Sequence, residues 1–557
     1  MVTLLFDGWE DKLRRSLYGT VGTGMDECPS LISLDNMSGY RGSADKYMET
    51  IVGGLEKMEM ADAKNVIALT TDNPSVMQSF RRKFQARFPW VLVFACFLHG
   101  LNTIIGKIVA FPGIKKIITA TATIVTFFNS SHYWGGQLEE EAKAFKVGRS
   151  LKSRTESRWY SLILQALSAV SHKHPLIRVC TRPDAQKRTN GFAPITPAVI
   201  KLVMDTDYWA KLDQLIRICK PLVDAIDCML ELIRCARHMA SFEGATEDDL
   251  AFTDHARSTF SHEFHAMNTD IHTLALFLHP RCRKLAISQV AKAKSFEQLC
   301  QTALVIAQSW GWDSQRAGRL LEDLKLYNAC KAPFSGSSKD ARTWWESLPV
   351  SGDDRPLKTL AIVLFSVVPH AAEVERLFSG LSGVQGVKRC NLSVPTFEIL
   401  GKLRSNYSYY IYLQDRAKNK STHRKHGHMH TRTEPGLDTN LANDLLSNFT
   451  WTPPLIVENV SDDLDMRGIE EMSEDEINAA FDNWDKDLAA ERATRAALPI
   501  AKMPVDVGLV YDYTELDRID ADEVTTVFDD EVTIHVGGTA DVWDPLTLLT
   551  SKGITST

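Results

Sequence analysis

The chain has 557 residues, 44% of them hydrophobic and 24% charged, with a formal net charge of −7. That is an ordinary globular composition, long enough for two or three separate cores. The most apolar region, residues 102–128, is broken by Lys107, Pro112, Lys115 and Lys116, so no transmembrane helix is expected. The opening MVTLLFDGWED lacks a basic stretch and reaches Asp7 too early for a secretory signal. Ten cysteines without a single CxxC pair fit the reduced thiols of an intracellular protein, and leave no zinc finger of the Cys-Cys-His-His type. The charge is uneven. Residues 456–557 carry −18 and residues 1–455 carry +11, which together make the −7. The body can therefore face a polyanion that the tail would repel.

The elements follow in a definite order. VTLLFDGW (2–9) is a short apolar run ending in Asp-Gly and reads as a buried strand. Residues 15–24 and 28–39 read as two more strands with turn residues between them. Residues 44–60 place apolar side chains at helical spacing. NVIALTTD (65–72) is a strand that again ends in an acid, 74–88 is helical, and WVLVFACFLH (90–99) reads as a fifth strand. Three strands followed by strand–helix units predict a mixed sheet covered by helices. From about 160 to 340 helical segments such as 207–237 dominate, which predicts an all-helical insertion. An apolar helix is expected at 357–368 and another at 395–413. Residues 416–432 are basic and histidine-rich. Beyond Trp451 the chain is acidic and broken by prolines, which predicts a largely disordered tail with one helix near 473–497.

Asp7 and Asp72 end the first and fourth strands. If those strands are neighbours, the two carboxylates project at one edge of the sheet, where they repel unless a cation neutralises them. Mg²⁺ suits a site of a few carboxylates and retained waters. Two such ions activate a water or a 3′-hydroxyl and stabilise the leaving oxygen of a phosphoryl transfer. The plainer alternative makes both residues turn-formers and helix caps.

Five patterns, in order, resemble the hAT superfamily of DNA transposases: FDGWED (6–11), ALTTDNPSVM (68–77) with CFLHGLN (96–102), SRWYSL (157–162), WWESLP with LAIVLFSVVPHAAEVERLFSG (360–380), and KRCNL (388–392). The first part is similar to the transposase-associated domain of plant and fungal relatives, and the last to the family's C-terminal dimerisation region. The resemblance covers roughly residues 1–412. It implies an α/β fold, a ribonuclease-H-like mixed sheet interrupted by a large all-helical insertion. The first part of the catalytic core would span 1–160, the insertion 161–340, the end of the core and the dimerisation region 341–413, a basic histidine-rich linker 414–455 and the acidic tail 456–557.

The resemblance also implies roles. Asp7, Asp72 and Glu375 would be the catalytic and metal-holding carboxylates for Mg²⁺ or Mn²⁺, two ions in number. Only Glu375 directly precedes Arg-Leu-Phe-Ser as the family pattern requires; Glu373, two residues earlier, would lie on another helix face. The alternative for Glu375 is an exposed helix acid. Arg158 and Trp159 would sit by the DNA end, where an aromatic ring stacks on an unpaired base. Trp159 as an anchor of the insertion is the other reading. Cys96 and His99 match the family's Cys-x-x-His. Two ligands cannot close a zinc site, so a structural or supporting role is expected. Leu360, Ile362, Leu364, Leu377, Phe378, Leu400 and Leu403 would form the core and the subunit contact. Gly19, Gly22 and Gly24 do not form a dinucleotide fingerprint, since no helix follows.

Two departures stand out. Family members carry a zinc-binding DNA-reading domain, often of the BED type, ahead of the first catalytic strand, and none precedes Asp7 here. A truncated or degenerate copy is therefore expected. His370, Ala371 and Ala372 replace the serines usual before the glutamate. The expected function is a nuclear, metal-dependent DNA transposase acting on transposon ends and target DNA. It would be a homo-oligomer through its C-terminal region, with no membrane and no small-molecule substrate. Two rivals are a non-catalytic, transposon-derived dimerising protein that binds nucleic acid, and an RNase H-type nuclease of another kind.

Overall fold

A computed structural model of the chain describes residues 1–24, 29–148, 150–153, 159–187, 193–224, 229–242, 246–287, 295–384, 392–418, 474–497 and 506–523. The protein is mixed α/β. Its five strands are β1 (Val2–Glu10), β2 (Ser16–Thr23), β3 (Ser30–Asn36), β4 (Val66–Thr71) and β5 (Leu92–Ala95). They form one sheet in the order β3-β2-β1-β4-β5. The meander β1–β2–β3 is antiparallel, while β4 lies parallel to β1 and β5 parallel to β4. β1 is central and has buried residues throughout its first half.

Alternation along β1 assigns its side chains to two faces. Leu4 and Phe6 face a core made with α1 (Ala44–Lys57) and α2 (Ser75–Arg87), which adds Tyr47, Ile51, Leu55, Phe80 and Phe84. Ser43 caps α1 by accepting the Lys46 N–H. Leu5 and Trp9 face the other way, onto Val374, Leu377, Phe378 and Phe397 from near the end of the body. The sheet is thus closed on its second face by a helix, Ala372–Val384, that the chain supplies only after the whole helical insertion.

The fifth strand is shorter than the sequence predicts. It ends at Ala95, and Phe97–Val109 is a helix, α3. The run WVLVFACFLH is apolar throughout, so neither period 2 nor period 3.6 shows in it. The Cys96 thiol resolves the ambiguity by capping α3, accepting the His99 N–H at 3.5 Å.

From α3 onward the described chain is helical. The helices Pro112–Ser130, His132–Ala144, Trp159–Ser171 and Thr206–Asp224 share one core around Trp134, Leu176 and Trp209. A larger core joins α3 to Phe260, Phe277, Tyr327 and Trp345. Helical packing begins with α3, which is buried on most of its surface. Among the described residues no single helix is long and apolar enough to cross a membrane. Among them, too, Cys96, Cys180, Cys219, Cys235, Cys282 and Cys300 are buried free thiols, and Cys330 is a half-buried one.

Two pieces of the acidic tail are helical. Glu474–Ala497 is a helix, at the expected place, and Tyr513–Asp520 is another. Both dock on the helical body, burying Phe481, Leu488, Tyr511, Leu516 and Ile519 in its larger core. Residues 419–473, with the histidine-rich stretch 423–430, lie outside the described residues.

Candidate active site

The parallel pair β1–β4 sets the site. Phe6 is in register with Thr71, so Asp7 and Asp72 stand one residue further on, at the same end of adjacent strands. Open α/β sheets bind ligands at the carboxyl ends of parallel strands, since helix connections leave a crevice there. Asp7 shares the face of Leu5 and Trp9. One of its carboxylate oxygens accepts the Gly8 N–H at 2.8 Å.

The segment Val367–Ala371 is stitched across this face. Val368 N–H donates to Thr3 Oγ1 at 3.1 Å, and Thr70 Oγ1 donates to the Val368 carbonyl at 2.9 Å. Phe97 N–H donates to the Pro369 carbonyl at 2.9 Å, and Ala371 N–H to Cys96 Sγ at 3.2 Å. These bonds start the helix Ala372–Val384 over β1 and β2. Gly19, the residue opposite Asp7 in the β1–β2 pairing, lets it come close. A Cβ at Gly19 would stand 3.0 Å from the Phe378 ring and 3.6 Å from Val374. Phe378 also stacks on Trp9, with centroids 5.5 Å apart. Glu375 lies one turn before Phe378 and half-buried.

The electrostatics show the same gathering. Burial pushes the Cys96 thiol up to about 12, and the negative charges of Glu375 and Asp7 both add to that. Cys96 in turn sits beside Asp72, because its N–H donates to the Thr71 carbonyl at 2.6 Å. Asp72 is held above the usual carboxylate range by burial, against the opposing pull of His99 and Arg81. Its Oδ1 is buried with no hydrogen-bond partner. Tyr18, on the opposite face, is raised by burial, by its hydrogen bond to Tyr47 and by the charges of Asp72 and Asp7. Two unlike groups, the Cys96 thiol and the Tyr18 phenol, therefore register nearby carboxylate charge.

The chemistry of these donors suits a divalent ion, while their spacing does not gather them round a single one. The set offers hard carboxylate oxygens, one of them orphaned and buried, which is what Mg²⁺ or Mn²⁺ prefers. The ligand atoms of Asp7, Asp72 and Glu375 are not all within 4.8 Å of one another; among the described residues only His262, Glu263 and Glu491 meet that spacing. Two ions about 3.5–4 Å apart, each with metal–oxygen bonds of about 2 Å, need carboxylates spread over roughly 8 Å. A tight cluster is not what such a pair requires. In the His262–Glu263–Glu491 group the cation is already present. Lys107 Nζ lies 2.6 Å from Glu263 Oε1 and pairs with Glu491 as well.

The other expected residues fall as follows. Glu373 is buried and paired with Arg376, so it is committed inside its own helix, whereas Glu375 is the acid that bears on Cys96. Cys96 is 3% exposed and serves as a cap and an acceptor, which makes it a structural tie between α3 and the segment before Glu375. His99 is exposed on α3 and its charge favours ionised Asp72. Arg158 lies outside the described residues. The helix Trp159–Ser171 begins at Trp159, whose side chain lies outside them too. Leu360, Leu364, Leu377 and Phe378 are core residues of this chain and are not available to a subunit contact. Ile362 and Leu400 are partly buried against the cores, and only Leu403 is exposed.

Arg81 was missed by sequence reasoning. It donates to Thr71 Oγ1 at 2.7 Å, to the Asp72 carbonyl at 2.5 Å and to Asn73 Oδ1 at 2.6 Å, and so shapes the loop that carries Asp72. A signal for it exists. Arg81 falls on the apolar stripe of α2 with Met77, Phe80 and Phe84, where a charge needs buried partners.

Compared with known protein families and with curated proteins, the chain matches none.

Proposed function

We propose that the chain is a metal-dependent DNA transposase of the hAT type. One observation carries the reading: Asp7, inside β1, and Asp72, just past β4, both follow the last pair of the parallel β1–β4 ladder, and the helix that carries Glu375 packs over β1 from the far side of the insertion. The strand order β3-β2-β1-β4-β5, antiparallel on one side of β1 and parallel on the other, supports a ribonuclease-H-like sheet. Magnesium or manganese held by the three carboxylates would polarise the scissile phosphate and lower the pKa of the attacking water or 3′-hydroxyl. The chain's own residues supply position. Arg81 fixes the Asp72 loop, Cys96 ties α3 to Ala371, and Phe378 on Gly19 sets the height of the closing helix. Self-association finds a surface on the helix Val394–Ala417, where Ile399, Leu403, Tyr407 and Tyr410 are exposed at helical spacing. A DNA substrate of this kind implies work in the nucleus.

A second reading is a non-catalytic, transposon-derived DNA-binding dimer. It draws on the spread of the three carboxylates beyond mutual contact. Strand cleavage and joining in Mg²⁺ or Mn²⁺ separates the two, using DNA ends from the repeats that flank the gene. The transposase reading expects activity in the wild type and none in Asp7→Asn, Asp72→Asn or Glu375→Gln, with DNA binding kept in all three. DNA binding without cleavage in the wild type, unchanged by Asp7→Asn, sinks the enzyme reading and keeps the second.

A further inference from the structure

We propose that the two docked acidic segments of the tail close a DNA-backbone-binding surface on the helical body, competing for its cations as a built-in substitute for phosphate. The proposal rests on the reading of DNA as the partner. Its argument comes from the docked segments themselves.

Six body cations meet six tail carboxylates. Lys107 pairs with Glu491, and Lys115 with Asp482 at 3.6 Å and Asp485 at 3.8 Å. Arg234 pairs with Asp520 at 2.5 Å, Arg237 with Asp517, and Arg281 with Asp522, which Lys339 approaches at 3.5 Å. The cations belong to helices and loops that are far apart in sequence, while the acids belong to two short segments. Cations from separate elements that converge on spaced anions of one segment are the arrangement a nucleic-acid backbone meets. The charge balance agrees, since the body carries +11 and the tail −18.

The docking is built to be reversible. Its apolar anchors lie beneath a rim of ion pairs. Phe481 is fully buried, with Lys115 5.0 Å from its ring centroid, and the Trp484 ring occupies the space over Gly106, where a Cβ would come within 2.9 Å. Tyr511, Leu516 and Ile519 anchor the second segment. Around them Lys115, Arg237 and Lys339 remain 25%, 39% and 52% exposed. Exposed pairs contribute little each and are screened by salt. They fix where the segment sits more than how tightly. Residues 419–473 join the tail covalently to the body, so DNA competes with an intramolecular ligand. Lys107 keeps Glu263 at 2.6 Å when Glu491 leaves, so release does not strand that buried charge.

The test uses the full chain and a mixed-sequence DNA duplex, without divalent metal, followed by fluorescence anisotropy across a salt series. The variant Asp482→Asn/Asp485→Asn/Asp517→Asn/Asp520→Asn is expected to bind about tenfold more tightly than wild type. Its plot of log K against log salt steepens by about 0.9 for each further phosphate neutralised. Adding Lys115→Ala and Arg237→Ala to that variant returns the affinity to the wild-type level. Equal or weaker binding by the tail variant, or no binding by either form, overturns the proposal. Hydrogen exchange on the wild type alone gives a second readout that needs no variant. Saturating duplex should speed exchange across 474–497 and 506–523, and unchanged protection there with duplex bound overturns the proposal. Neither readout involves cleavage. Competition without any strand cleavage leaves the clamp standing and the enzyme reading fallen; Asp7-dependent cleavage with no competition does the reverse.

Discussion

The molecule gathers partly buried ionised side chains in two places and treats them in opposite ways. At the carboxyl ends of β1 and β4, Asp7, Asp72 and Glu375 are of one sign, and Asp72 Oδ1 has no hydrogen-bond partner. Between α3 and the tail, Lys107 stands between Glu263 and Glu491, and each charge there has an opposite neighbour. The burial is comparable and the outcome differs. Burial raises Asp72 out of the usual carboxylate range, whereas the hydrogen bonds of Lys107 overcome its burial and hold it above the ordinary lysine value. A fold that had only to be stable would arrange all its buried charges like the second group. At Asp72 burial outweighs the charges of His99 and Arg81, and that perturbation is what supports the proposed site.

Breaking the paired group should have the largest effect on stability. Lys107→Ala leaves Glu263 and Glu491 facing each other without a cation, and removing one partner of a buried pair costs about 3–5 kcal/mol. Urea unfolding should show that loss. A change below about 1 kcal/mol would mean that the pair is hydrated and that the contrast between the two groups is false.

At the like-charged edge the tie through Cys96 is the next lever. Cys96→Ala removes the acceptor for the His99 and Ala371 N–H groups and should cost about 1–2 kcal/mol, the usual range for a lost cap. Cys96→Ser keeps an acceptor and should recover most of it. Thermal melts of the pair check this. Equal melting temperatures for both variants would assign the effect to lost volume instead of lost hydrogen bonds.

The smallest effect has the opposite sign. A carboxyl raised in the folded state binds its proton more tightly there than in the unfolded chain. Asp72 therefore adds stability as pH falls through its raised folded value toward 3.8, and loses it as pH rises again. Asp72→Asn should stabilise the metal-free protein at neutral pH by roughly 1 kcal/mol and flatten that pH dependence. Mg²⁺ should reverse the order, stabilising the wild type and leaving Asp72→Asn unmoved. Denaturation midpoints across pH, with and without Mg²⁺, measure both. A destabilised Asp72→Asn would show that Arg81 and His99 already neutralise the carboxylate.

Local pattern was enough for the order of strands and helices along the first ninety residues. The short apolar runs 2–9 and 65–72 ending in acids, and the helical spacing of 44–60 and 74–88, depend on neighbours within a few residues, and each element is where that spacing places it. The helix Glu474–Ala497 is legible for the same reason, but its docking is not. Phe481 and Trp484 read as isolated apolar residues in an acidic helix until Gly106 and Lys107 stand across from them.

What the sequence alone determined, then, is where most strands and helices lie and that an acid, Asp72, follows the fourth strand; the first strand runs past Asp7 to Glu10. Those properties repeat with the period of the backbone. Only the tertiary structure decided that β1 and β4 are adjacent, that the helix carrying Glu375 packs on β1 and β2 after the insertion, and that Arg81 turns inward to hold the Asp72 loop. It also decided that the acidic tail folds back on the basic body. Each of these is a contact between distant segments, selected by shape at Gly19 and Gly106 and by charge at Lys107. Such selection acts between surfaces, and no period along a single chain records it.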